Sequence, residues 1–172
     1  MSVSELSTST QNYLKAIWGL KEWSSEPVTA TLIAKQLGLK LSSVSDAVRK
    51  MAKQGLVSHT PYGSVELTEL GRQYALVMVR RHRLLESFLV QALGYTWDEV
   101  HNEAEDLEHA VSDMLIERVD KFLDYPTRDP HGDPIPTVDG QITIPSAHRL
   151  TDSGAQSQVT VERISDSDPQ LL

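Results

Sequence analysis

The chain has 172 residues, 40% of them hydrophobic, and a formal net charge of −8, which allows one or two domains with their own cores. It has no cysteine, which excludes a disulfide framework and leaves any metal site to nitrogen and oxygen donors. No apolar run approaches the roughly 20 residues of a membrane span, and the opening MSVSELSTSTQNY lacks the basic and apolar regions of a secretory signal, so a cytoplasmic protein with no membrane partner is expected. The charge is unevenly divided. Residues 1–83 carry 11 Lys+Arg against 6 Asp+Glu, and residues 84–172 carry 5 against 18. A basic amino-terminal half can meet phosphate while the acidic half does something else.

In chain order, residues 7–23 open with four potential caps, Ser7 to Thr10. Tyr13, Leu14, Ile17, Trp18 and Leu20 then recur at helical spacing. A second helix is predicted from Thr29 to Leu37, with Leu32, Ile33 and Leu37 pointing inward and Gly38 just past its end. In the next helix Leu41, Val44, Val48 and Met51 form the apolar stripe, and Ser42, Ser43, Ser45, Asp46, Arg49 and Lys50 form the outer face. Two alternating runs, 56–60 and 64–68, flank Pro61-Tyr62-Gly63 and predict a hairpin. Helix, turn, helix and hairpin in this order describe a winged helix-turn-helix. Ser42, Ser43, Ser45 and Asp46 are expected to read base edges of double-stranded DNA, and Arg49, Lys50 and the wing to hold phosphates.

A long helix is predicted from Thr68 to near Gly94, with Gly71 tolerated inside it at a cost of about 1 kcal/mol. Thr96 caps the next helix, which extends or restarts through His109, and a further helix covers Ser112 to Leu123. Leu107, Val111, Leu115 and Phe122 are expected to supply a second core or a subunit interface. Tyr125 to Pro145 holds five of the eight prolines and reads as irregular chain. His131 and His148 within and beyond it are read as solvated loop histidines. The run Gln158–Ile164 reads as one strand, the start of a small β module.

On a helix at 100° per residue, His101, Glu105, Glu108 and His109 share a sector about 100° wide. His82 and Glu86, four apart, share one face of the preceding helix. Imidazoles and carboxylates gathered on facing helices are what a divalent transition metal needs. His101 and His109 are roughly 12 Å apart along the axis, too far to serve one ion, so two centres are expected. There is no H-E-x-x-H, P-loop or G-x-S-x-G. The paired E-x-x-H motifs of carboxylate-bridged metalloenzymes are missing too. That alternative is therefore weak, and a metal-responsive DNA-binding protein without enzymatic activity or a small-molecule substrate is expected.

The segments VRRHRLLESFL (79–89), VHNEAEDLEHAVSD (100–113) and HGDPIP (131–136), beside the winged helix, resemble the diphtheria toxin repressor family of metal-dependent regulators over residues 7–145. The resemblance implies a mainly α fold. Its parts would be a winged helix-turn-helix domain over 1–74, a metal-binding and dimerisation domain over 75–145, and a linker with the start of an SH3-like module over 146–172. It also implies a primary metal site of Asn12, Glu105, Glu108 and His109, with the Glu105 carbonyl as an extra ligand. An ancillary site would use His82, Glu86 and His101, with Asp166, Asp168 or Gln170 in reach. The iron-sensing branch has a thioether and a thiol where Asn12 and Glu105 stand. Oxygen donors there harden the site toward Mn(II), as in the manganese transport regulators. That branch commonly has Asp at Asn12 and Glu at Lys15, and a cationic Lys15 argues against its closely bridged second ion. The expected protein is a manganese(II)-dependent repressor that binds operator DNA as a homodimer and controls metal homeostasis. Fe(II) and Co(II) are the alternative activators, and an iron(II)-dependent repressor is the alternative function.

Overall fold

Of the four potential caps Ser7 to Thr10, Ser7 starts the first helix, its side chain accepting from the Thr10 amide at 3.3 Å. In this computed structural model, which describes residues 3–60 and 63–165, the chain forms two units, Met1–Val79 and Arg80–Leu172.

The first unit contains α1 (Thr8–Glu22), α2 (Ala30–Gln36), α3 (Leu41–Lys53), β1 (Val57–His59), β2 (Val65–Leu67) and the start of α4 (Glu69–Phe88). Buried Gln11 donates to the carbonyls of Val3 and Leu6, both at 3.0 Å, and so fastens the leading turn to α1. Thr29 caps α2 through the Leu32 amide at 3.3 Å. Gly38 follows α2 at φ 63°, the left-handed conformation a short turn between two helices requires. Leu14, Ile17, Ile33, Val44, Val48, Met51, Val57 and Val65 fill one core. Two expected inward residues are not in it. Leu32 is exposed because Ile33, one position on, faces the core, and Leu41 is exposed as the first residue of α3. β1 and β2 pair antiparallel with Val57 opposite Leu67 and His59 opposite Val65. Pro61 and Tyr62 of the predicted turn lie outside the described residues. Gly71 fits one particular gap: a Cβ there would lie 1.9 Å from the Leu56 carbonyl oxygen.

The second unit holds the carboxy-terminal part of α4, α5 (Trp97–Leu107) and α6 (Asp113–Phe122). α4 ends in a wide turn over Leu89–Leu93, closed by Gly94 at φ 75°. Thr96 and Glu99 form a capping box on α5, and Ser112 caps α6 through the Leu115 amide at 3.2 Å. Leu84, Leu85, Leu89, Val100, Ala104, Ile116, Val119 and Ile135 form the core. Leu107 and Val111 pack on its edge, whereas Leu115 and Phe122 are exposed.

The predicted strand Gln158–Ile164 does not form. A strand needs a ladder partner, and this stretch lies instead against the 128–133 loop. The Ile164 amide donates to the His131 carbonyl at 2.9 Å, Arg128 pairs with Glu162 at 2.7 Å, and Arg163 pairs with Asp133 at 3.3 Å. Gly132 at φ 91° permits this contact, since a Cβ there would come within 2.2 Å of the Glu162 carbonyl oxygen.

Candidate metal centre and nucleic-acid interface

One turn of α4, Arg80-Arg81-His82-Arg83, organises the second unit. Arg80 reaches Asp120 and the Pro136 carbonyl, each at 2.6 Å. Arg81, 2% exposed, donates to the Glu108 carbonyl at 3.3 Å and pairs with Asp113 at 2.5 Å. Arg83 donates to the Pro134 carbonyl at 2.6 Å and faces Asp129 and Asp133 at 3.6 and 3.5 Å. The helical repeat sends Arg80 to α6 and the 134–136 stretch, Arg81 to the turn after α5 and the first residue of α6, and Arg83 to the 129–134 loop, and leaves His82 between them.

His82 has a carboxylate on each ring nitrogen. Its Nδ1 is 2.7 Å from Glu108 Oε2, and its Nε2 is 3.0 Å from Glu86 Oε1 and 3.2 Å from His101 Nδ1. Glu86 Oε1 is also 3.4 Å from His101 Nδ1. Glu105 Oε1 stands 3.9 Å from His82 and 3.8 Å from His101. His109 Nε2 lies 3.4 Å from Glu108 Oε1. Two sets of donors converge here closely enough to hold a cation, His82–Glu86–His101 and His82–Glu105–Glu108. The periodicity of α4 and α5 foretold that His82 shares a face with Glu86 and His101 with Glu105, but α5 ends at Leu107, so Glu108 and His109 reach the cluster from the turn after it rather than from a helix extended through His109. Nor did the periodicity foretell that His82 would stand in both groups.

A third set, Glu86–Asp129–His131, joins them. This corrects the reading of His131 as a solvated loop histidine: the residue is 2% exposed. Its Nε2 donates to the Trp97 carbonyl at 3.3 Å. In the neutral ring that bond leaves the Nδ1 lone pair facing Glu86 Oε2, 3.8 Å away and beyond hydrogen-bond reach. Neither of these two buried atoms has a hydrogen-bond partner among the described residues. Buried donors aimed at one another with a gap between them are what a divalent ion would satisfy. His131 stands in HGDPIP, but loop chain has no periodicity to show which way a side chain faces. Asp129 has a second task, since its Oδ1 accepts from the amides of His131 and Asp133, each at 2.9 Å, and staples the loop.

Burial pushes the Glu86 carboxyl up, but His82, His101 and His131 outweigh it and hold the group well below the usual carboxylate range. Burial pushes Asp129 up to about 7, reinforced by Glu86 and Asp133 and opposed by Arg83. Burial would lower His131, but Glu86 and Asp129 raise it to about 9.

Asn12 lies on α1 in the first unit. Its Oδ1 is buried and has no hydrogen-bond partner among the described residues, so it is an oxygen donor with unused capacity. Asp166, Asp168 and Gln170 lie outside the described residues. The residues expected to meet DNA all lie on α3, with Ser42, Ser43, Asp46, Arg49 and Lys50 exposed and Ser45 partly so.

Residues 5–65 match the family described as iron dependent repressor, N-terminal DNA binding domain, and residues 68–137 match its metal binding and dimerisation domain. The chain is 40% identical over 134 residues to the iron-dependent repressor IdeR of Mycobacterium tuberculosis, which covers 78% of this chain and 58% of that protein. It therefore spans somewhat more than half the length of that relative. It is 36% identical over 155 residues to the diphtheria toxin repressor of Corynebacterium glutamicum, covering 90% of this chain and 67% of the relative. Among solved structures, a manganese-dependent transcriptional repressor in complex with manganese superposes with a TM-score of 0.90 at 55% identity, over 94% of this chain and 74% of that one.

Proposed function

We propose, from the premise that this chain belongs to the diphtheria toxin repressor family of metal-dependent regulators, that it is a manganese(II)-dependent transcriptional repressor. It acts in the cytoplasm, binds double-stranded operator DNA as a homodimer through α3 and the wing, and controls metal homeostasis. Residues 1–74 form its DNA-binding domain and 75–145 its metal-binding and dimerisation domain.

The observation that carries this reading is the buried cluster around His82 and Glu86, built from imidazoles and carboxylates alone. The carboxylate oxygens among these donors, with the Asn12 amide oxygen, suit Mn(II), whereas thiolate and thioether favour later metals. A relative at 55% identity is a manganese-dependent repressor solved with manganese, which supports the same choice. The primary ligand set is Asn12, Glu105, Glu108 and His109. The ancillary set is His82, Glu86 and His101, extended by His131 and by whatever capacity Asp129 keeps after stapling its loop. An iron(II)-dependent repressor is the second reading, because relatives named for iron are 40% identical.

The test is a titration of promoter duplexes with Mn(II), Fe(II), Co(II) and chelator, reading DNA affinity rather than metal affinity, since the Irving–Williams order makes the latter misleading. Mn(II) is expected to give the tightest complex. Glu105→Ala should abolish metal-dependent DNA binding, and unchanged binding in that variant would overturn the reading.

A further inference from the structure

α3 carries a single acid, Asp46, on a face otherwise made of serines, lysines and Arg49. A helix that enters the phosphate-lined major groove gains from each cation and loses from a carboxylate. Asp46 is nonetheless exposed on that face, at 70% side-chain exposure, with Arg49 at 69%. The two form an ion pair one turn apart, and Arg49 Nε also leans on the Ser45 carbonyl at 3.4 Å. Arg49 thereby lies along the helix face, with one guanidinium nitrogen on the Asp46 carboxylate.

We propose that Asp46 and Arg49 act as one specificity-determining unit that reads a guanine–cytosine step in each half-site, Arg49 donating to guanine and Asp46 accepting from the cytosine amino group. The unit rests on the DNA-binding reading above and assigns Arg49 a different task from the phosphate contact that its charge alone implies. Among the bases, cytosine N4 and adenine N6 offer amino groups in the major groove, and guanine offers the O6/N7 acceptor pair that a guanidinium fork matches. On a sequence without a base amine the Asp46 carboxylate keeps only Arg49 as its partner while it still faces the phosphates, and that repulsion falls on every wrong sequence. Asp46 therefore lowers affinity for DNA in general and spares only the sites that satisfy it. Side chains three apart on a helix stand about 5–6 Å from one another, which spans one base pair or two adjacent ones.

The experiment selects duplexes from a randomised pool with the full Mn(II)-loaded chain. Its affinity for the selected site and all single-base variants is then measured by anisotropy, alongside D46A and R49K. Both substitutions are at exposed positions, and thermal melting checks that the fold is retained. The wild-type chain should select a guanine–cytosine step whose replacement by A·T costs about tenfold in affinity. D46A should discriminate less between the original and replaced sites, because the cytosine contact is lost, and bind random DNA more tightly. R49K, which keeps the charge and loses the fork, should also lose the guanine preference. If Arg49 only touches phosphate, R49K keeps every base preference, and that result overturns the proposal, as does a D46A profile identical to the wild type. Failure of the Mn(II)-loaded wild-type chain to select any sequence would overturn the DNA-binding reading itself and this proposal with it.

Discussion

His131 illustrates how one residue gains its chemistry from surroundings that its sequence neighbours do not reveal. His82 and Glu86 on α4 and His101 and Glu105 on α5 were legible because those helices repeat, so spacing places each pair on a common face, whereas Glu108 and His109 stand in the turn past the end of α5. His131 sits between two prolines, in a loop that Asp129 staples. Its burial follows from that fold-back and from Gly132, and no local pattern encodes it. With its titration raised to about 9, above the roughly 6.5 of an unfolded histidine, the protonated ring is favoured in the folded chain. Its contribution is therefore complete below about pH 6.5 and lost as pH rises through about 9. In chelator, the melting temperature should fall across that window, and His131→Phe should flatten the fall. Identical pH profiles for the two chains would count against the raised value.

At the level of elements, close approaches decide more than propensity does. Gly71 in an isolated helix would be improved by Ala by up to about 1 kcal/mol. Here a Cβ meets the Leu56 carbonyl oxygen, so Gly71→Ala should destabilise by about 1–3 kcal/mol, as overpacking does. The urea midpoint checks the sign. The sequence marks Gly71 as an oddity within a helical pattern but cannot say what lies beside it. The same holds for 158–164. Its alternation of side chains is a strand's, yet its polar backbone finds a loop instead of a ladder. Gly132→Ala should displace Glu162–Ile164 from that loop and speed amide exchange at Ile164, whose N–H now rests on the His131 carbonyl. The cap at Thr96 was legible because a cap is a local rule, and the same rule narrowed the start of α1 to Ser7–Thr10, of which Ser7 is the cap.

For the molecule as a whole, ligand binding and association set stability together. Mn(II) at about 100 times its dissociation constant should add about 2.7 kcal/mol, or roughly 5–10 °C in Tm for a chain of this size. The gain should vanish in Glu86→Ala if that carboxylate serves the ion. α6 leaves Met114, Leu115 and Phe122 exposed at 69%, 46% and 65%, with Phe122 set edge-on to Phe88 at 5.7 Å. Phe122→Asp is expected to yield monomers in sedimentation if this face joins two copies. Unaltered dimers would place the interface elsewhere. The division into a basic and an acidic half was legible from charge, because charge is additive along the chain. The pairing of subunits was not, because an apolar residue reads alike whether it meets a core or a second copy. Lastly, the position of His82 has a consequence for how cations load. A neutral imidazole carries one hydrogen, and this ring faces Glu86 on one nitrogen and Glu108 on the other. When Nε2 gives its lone pair to a cation beside Glu86, the hydrogen must sit on Nδ1, where it orients a carboxylate of the neighbouring centre. The two centres would then communicate through the placement of one proton, and filling either would alter the grip of the other by the same factor in both directions.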